Sequence, residues 1–353
     1  VNRIEDLRDL QAEIPKKKLV IGFDGFTDSV ARPIRYAATD STEAKPFETI
    51  HDFGAFLMSK AGKSCSVELK MQARQLGGNL PFLSRAAGYL GLDVSCIGML
   101  GENEPEKLFK DMPCTLYPFA ASGQAMCLEF HDGKILLSSD CLLPADAWEM
   151  VLSATDGRAA QMFSNADLFA LVNWSELSFA GELWEHACNS IRQQDKSKFA
   201  FFDLCDVSRK SREQIDHVLR MIGGISKMRT AILSLNENEA LTIGELFFHN
   251  MHDIAGTACA VRQSYGIDEV IVHTIHESLL STKRGSVCVP TVFVNTPVIS
   301  TGAGDNFNAA SCFAAVMNLE DRERLVFANM YANFYITHGY SPSLTKLMAS
   351  QGF

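Results

Sequence analysis

Ser300-Thr301-Gly302-Ala303-Gly304-Asp305-Asn306-Phe307 combines groups suited to handling an anion. Small residues lead into a carboxylate, and an apolar run from Ala309 to Met317 follows. With little bulk at Gly302, Ala303 and Gly304, several backbone N–H groups can converge on one phosphate. If the apolar run is a helix, they belong to its unsatisfied first turn, at the positive end of the dipole. Asp305 would then stand beside that cradle, placed to take a proton from an attacking hydroxyl. The combination reads as phosphoryl transfer. A tight glycine turn with an acidic helix start is the plainer reading of the same residues, so the rest of the chain must decide.

Two further constellations bear on it. Leu76-Gly77-Gly78-Asn79 precedes a helix-like stretch, Leu80–Leu90, with Leu83, Ala86, Ala87 and Leu90 at helical spacing. Paired glycines admit a ligand close to the backbone, and the Asn79 carboxamide can both donate to and accept from a hydroxyl. A turn followed by an Asn cap would look the same. Upstream, Gly22-Phe23-Asp24-Gly25-Phe26-Thr27-Asp28 closes the first apolar run. Its two carboxylates could accept hydrogen bonds from vicinal hydroxyls of a polyol, although surface turns are also rich in Asp. Ala61-Gly62-Lys63-Ser64 is not a P-loop, because Leu57 occupies the position of the required first glycine.

The elements that must position these groups alternate in type. Apolar strand-like runs cover Leu19–Phe23, Val94–Met99, Leu168–Val172, Phe199–Asp203, Ala231–Ser234 and Val270–His273. Between them the periodicity predicts helices at Leu80–Leu90, Leu177–Gln194, Arg212–Ile222, Asp253–Tyr265 and Glu320–His338. That order predicts an α/β fold, a largely parallel sheet with helices on both faces and ligands beyond the strands' carboxyl ends. A helix near Asp52–Lys60, a strand Ser66–Ala73 and a hairpin, Ala125–His131 and Lys134–Ser139 around Asp132-Gly133, predict a separate small β layer over the crevice.

The chain of 353 residues carries a net charge of −10, which argues against a general electrostatic grip on nucleic acid or anionic membrane. No apolar stretch reaches the ~20 residues of a membrane span. The ten cysteines form no CxxC pair and several sit in apolar segments, the pattern expected of core residues in a reducing cytoplasm.

In order and separation, these pieces resemble the ribokinase-like carbohydrate kinase family, also called PfkB. That family has an acidic motif after its first strand, a Gly-Gly-Asn-type segment before a helix and a late Gly-Ala-Gly-Asp signature. Asn236-Glu237-Asn238-Glu239 also fits its Asn-x-x-Glu motif, and the resemblance spans residues 18–345. It implies a Rossmann-like three-layer core with a mostly parallel sheet, plus a small β-sheet lid. The core would comprise residues 1–28, 77–112 and 143–353, with 29–76 and 113–142 forming the lid.

The activity implied is ATP-dependent transfer of the γ-phosphoryl group to a hydroxyl of a sugar or similar polyol. Asp305 would be the base, and the amides of Gly302, Ala303 and Gly304 the anion hole. Asp28, with Asp24 as second choice, would hold the sugar together with Gly78 and Asn79. Asn236 and Glu239 would orient water bound to Mg²⁺, and Asn329 would line the nucleotide pocket. The implied partners are a small sugar and a nucleotide, and a lid edge strand could pair with a second subunit. Two departures stand out. Thr274-Ile275-His276 replaces the usual Thr-x-Gly, where His276 would crowd the phosphates unless the loop is rerouted, and Asn306 replaces a smaller residue. The rivals are a nucleoside or ADP-dependent kinase of the same fold, and a non-catalytic sugar- or nucleotide-binding regulator.

Overall fold

The computed structural model describes residues 3–9, 11–39, 42–139, 144, 146–249 and 251–350. Its strands are β1 (Lys18–Phe23), β2 (Phe26–Tyr36), β3 (Lys45–Pro46), β4 (Leu69–Gly77), β5 (Asp93–Gly98), β6 (Thr115–Pro118) and β7 (Gly123–Phe130), followed by β8 (Gly133–Ser138), β9 (Leu168–Val172), β10 (Phe199–Asp203), β11 (Thr230–Asn236), β12 (Glu269–His273), β13 (Glu277–Thr282) and β14 (Gly285–Pro290). The helices are α1 (Ile50–Ser59), α2 (Asn79–Tyr89), α3 (Ala147–Ala154), α4 (Ala159–Asn165), α5 (Ala180–Asn189) and α6 (Arg212–Ile225), then α7 (Glu237–Phe247), α8 (Ile254–Tyr265), α9 (Ala303–Val316), α10 (Asp321–His338) and α11 (Leu344–Ser350).

The large sheet runs β14-β13-β12-β11-β10-β9-β1-β5-β6, parallel from β12 to β6 and antiparallel through β13 and β14. Alternating side chains of its buried strands serve two cores, as the period of a strand requires. Leu19, Ile21 and Ile232 face α2, α9, α10 and α11, whereas Val20, Phe23 and Leu233 face α3 to α8. This is the expected three-layer arrangement. Local signals set the helix ends. Ser211 and Gln214 close a reciprocal capping box on α6, and Asp253 accepts from the Ala255 and Gly256 amides at the start of α8.

The second sheet holds β3, β2, β7 and β8 in that order, with β4 pairing β2. It closes over a small core of Ala31, Phe47, Phe53, Leu128 and Phe130. Here the structure corrects several expectations. β2 is an eleven-residue strand that the sequence pattern did not disclose. It pairs with β4 from Pro33↔Leu69 to Phe26↔Gly77, and that register carries β4 four residues beyond the expected end at Ala73. Phe130 pairs with Gly133, so the hairpin turn is His131-Asp132 rather than Asp132-Gly133. Asp132 instead caps α1 by accepting the Ile50 amide at 2.8 Å. The helix expected over Leu177–Gln194 is shorter, Ala180–Asn189. Thr115–Pro118, expected within the lid segment, pairs with β5 at the edge of the large sheet.

Among the described residues no helix is long and apolar enough to cross a membrane, and the described cysteines are free thiols. The parallel strands β1, β9, β10, β11 and β12 end beneath the small sheet's side of the molecule at Phe23, Val172, Asp203, Asn236 and His273. All the chemistry expected from sequence collects along that rim.

Candidate active site

Asp24 follows β1 directly and is fully buried. Its carboxylate accepts the Asn79 and Leu80 amides, each at 2.8 Å, and the Asn173 side-chain amide at 2.7 Å. It therefore caps α2 through space and does not line a cavity. The expectation that Asp24 might hold a sugar is corrected on this ground. The paired glycines serve the same end. A Cβ on Gly78 would lie 2.3 Å from Asp24 Oδ2, and one on Gly77 would lie 2.1 Å from Asp28 Oδ1. What approaches this backbone so closely is the protein's own carboxylates. Burial pushes Asp24 up to about 7, only partly offset by those hydrogen bonds.

Asp28, the third residue of β2, faces a cavity of about 690 Å³ together with Gly78, Asn79, Asn173, Gly302 and Asp305. Burial raises it to about 6, opposed by the charge of Lys134. Lys134 opens β8 and reaches across to hydrogen-bond the Thr301 hydroxyl, so the small sheet touches the glycine loop directly.

That loop caps α9. Gly302 sits in the left-handed region at φ 82°, and a Cβ there would lie 2.7 Å from the Phe82 ring. Asn306, a departure from the expected pattern, pins the loop. Its amide nitrogen donates to the Gly302 carbonyl at 2.7 Å, and its oxygen accepts from Ser341 at 2.7 Å. Tyr335 of α10 donates to the Thr301 carbonyl at 2.8 Å. The Ala303 amide donates to the Ser300 carbonyl at 3.2 Å, so in this conformation it is already engaged, unlike the expected set of three open donors.

Asp305 lies in the first turn of α9, with its Oδ1 buried and without a hydrogen-bond partner. The helix dipole would favour its ionised form, but burial and the neighbouring carboxylates of Asp203 and Asp24 outweigh that and raise it well above the ordinary range. The nearby Asn79 carboxamide offsets part of this rise.

Asp203 is among the residues here that sequence reasoning missed, with Asn173, Glu176 and Arg209 on the cavity wall. It ends β10, accepts the Cys205 amide at 2.9 Å and the Asn308 side chain at 2.7 Å, and burial raises it to about 6. Asn308 in turn accepts from Ser234 at 2.7 Å, which links three elements under the loop. A carboxylate closing an apolar parallel strand, Phe199–Asp203, was the available signal.

A second cavity of about 860 Å³ lies on the other side of the loop, lined by Ser300, Ala303 and Gly304 along with Asn236, His273 and Asn329. Asn236 and Glu239 form a capping box on α7: Asn236 accepts the Glu239 amide, and Glu239 accepts the Asn236 amide, both at 2.9 Å. Burial, then the charge of Asp203, raises Glu239. The Asn329 side-chain nitrogen is buried without a partner. His273 ends β12 under Gly304, and burial pushes it down to about 4, so its ring is neutral near pH 7. His276 is not among the residues lining this cavity, so the rerouted loop is the alternative that holds. Thr274 turns the chain by accepting the His276 and Glu277 amides at 3.0 Å each, and the His276 ring stacks at 6.0 Å on Phe293, which does line the cavity.

A family model described as prokaryotic ketohexokinase matches residues 3–351. A ketohexokinase from Haloferax volcanii is 23% identical over 347 residues, covering 94% of this chain and 90% of that protein. Among solved structures, an adenosine kinase from Sinorhizobium meliloti superposes with a TM-score of 0.64 at 16% identity, over 95% of this chain and 98% of that one. A ribokinase from Thermotoga maritima gives 0.62 at 15% identity, over 96% and 99%. These two likenesses bear on the fold alone.

Proposed function

The chain belongs to the prokaryotic ketohexokinase family and is a carbohydrate kinase, and from that premise we propose that it transfers the γ-phosphoryl group of ATP to a hydroxyl of a ketohexose. One observation carries the reading. The Ser300–Asp305 loop is the wall between two cavities, with Thr301, Gly302 and Asp305 facing one and Ser300, Ala303 and Gly304 facing the other. Acceptor on the Asp28 side and nucleotide on the Asn329 side would meet across that wall.

In this mechanism Asp28 and Asn79 orient the acceptor, and Asp305 takes the proton of the attacking hydroxyl. A carboxylate held above its ordinary range is a stronger proton acceptor once ionised. The amides of Gly302 and Gly304 stabilise charge on the migrating group, and that of Ala303 joins them if it leaves Ser300. Donors of this kind are worth roughly 3–4 kcal/mol each. No cluster of three metal-ligating side chains occurs among the described residues. The unpartnered Oδ1 of Asp305 and the adjacent carboxyl group of Glu239 suit a hydrated Mg²⁺ carried by the nucleotide and touched through water. When bound, that ion would neutralise phosphate charge, while Glu239 and Asp305 hold its waters. Asn236 would stay with the α7 cap and Asn329 would meet the nucleotide. The small sheet would act as a lid over the acceptor, built from the described residues of 29–76 and 113–142 without the Thr115–Pro118 strand, residues 40, 41 and 140–142 lying outside the described ones.

A coupled assay offering ATP or ADP against ketohexoses, aldoses and nucleosides tests this directly. Preferred use of ATP with a ketohexose supports the reading. Preference for a nucleoside or for ADP, or sugar binding without turnover across the panel, replaces it.

A further inference from the structure

Glu176 and Arg209 form an ion pair on the wall of the acceptor cavity. Glu176 lies in the loop after β9 and Arg209 in the turn after β10, so adjacent strand ends bring them together. Among the described residues lining this cavity, Arg209 is the one cation, set against the carboxyl groups of Asp28, Glu176, Asp206 and Asp305. Two nearby ammonium groups already have partners. Lys134 bonds Thr301 and faces Asp28, and Lys210 lies over the Trp174 ring at 5.1 Å.

The pair does little for stability. Side-chain exposure is 55% for Arg209 and 24% for Glu176, and ion pairs this open are worth about 0–1 kcal/mol. Its effect on what may enter the cavity is larger. A guanidinium is the group best matched to a phosphate or carboxylate, and here its Nη1 arm already donates to Glu176 Oε2. An anionic acceptor would compete with that carboxylate for the guanidinium and lie beside its negative charge, a repulsive element of the kind that sets specificity. A neutral polyol meets no such penalty.

Resting on the kinase reading above, we infer that Glu176 is a specificity-determining residue that masks Arg209, so the acceptor is a sugar bearing no phosphate or carboxylate. The test compares a free ketohexose with the same sugar carrying a terminal phosphate, in wild type, Glu176→Gln and the double variant Glu176→Gln/Arg209→Met. In wild type the free sugar is preferred by at least a hundredfold in kcat/KM. In Glu176→Gln the ratio of phosphorylated to free sugar rises at least tenfold, and adding Arg209→Met reverses the gain. Independently of turnover, the phosphorylated sugar inhibits free-sugar phosphorylation at least tenfold more strongly in Glu176→Gln. Wild type that uses both sugars comparably, or a ratio and inhibition unmoved by Glu176→Gln, overturns the inference while leaving the kinase reading intact. Failure of wild type to phosphorylate any ketohexose overturns both.

Discussion

Gly78→Ala puts the α2 cap to the test. Gly78 adopts φ 81° and ψ 162°, a region open essentially only to glycine, where another residue costs about 1–3 kcal/mol. Its new Cβ would also lie 2.3 Å from Asp24 Oδ2 and 3.0 Å from Phe26 Cδ2. An ordinary contact needs roughly 1 Å more, and a carboxylate moved that far breaks bonds now at 2.7–2.8 Å. Loss of one such charge-assisted bond costs about 1.5–3 kcal/mol. Together the two effects give a loss of about 2.5–6 kcal/mol, a large share of the ~5–15 kcal/mol that holds a typical protein folded. Urea unfolding measures it. The decisive comparison repeats the change in an Asp24→Ala background, where only the backbone term remains and the cost falls to about 1–3 kcal/mol. An equal cost in both backgrounds would refute the reasoning, and Gly78 would then be kept for something other than Asp24.

Asp305→Asn should leave ketohexose affinity within a few-fold by calorimetry while turnover falls by about 10²–10⁴; near-normal turnover would remove Asp305 from the chemistry. Lys134→Met should lower kcat by about 10–100-fold and move the acid limb of the pH–rate profile upward, since the charge that holds Asp28 down is lost; an unchanged limb would separate Lys134 from Asp28. Ligand-free enzyme should lose stability with rising pH. Asp24 and Asp203 bind protons up to about 7 and about 6 when folded but only to the ordinary 3.8 when unfolded. Their stabilising protonation is complete below pH 4 and is lost through pH 6–7. A melting temperature higher at pH 8 than at pH 5 would contradict this.

What was legible in the sequence was local. Gly302–Asp305 announces itself because the loop's small residues and the helix that follows are contiguous, and the large sheet's strands are apolar on both faces. What was hidden depends on pairing across the fold. Pro33 and Arg32 disguise β2, which is a strand because β4 and β7 flank it. Gly77 and Gly78 signal close approach, but only the folded chain shows that Asp28 and Asp24 are what approach. The link from Asp203 through Asn308 to Ser234 joins residues more than seventy positions apart, beyond any motif's reach. Asn236 and Glu239 were recognisable as a pair, yet their spacing equally fits the capping box they form.

The strand bases of the small sheet share one further consequence. β2 leaves β1 after only Asp24 and Gly25, Phe26 pairs with both Gly77 and Gly123, and the Gly123 amide donates to the Gly25 carbonyl at 2.9 Å. Three chain segments thus cross between the two sheets side by side, each with a glycine, Gly25, Gly77 or Gly123, at the crossing. If the small sheet serves as the proposed lid, these strand bases are the hinge about which it would turn as one piece. Swinging it outward would draw Lys134 off Thr301 in the same stroke.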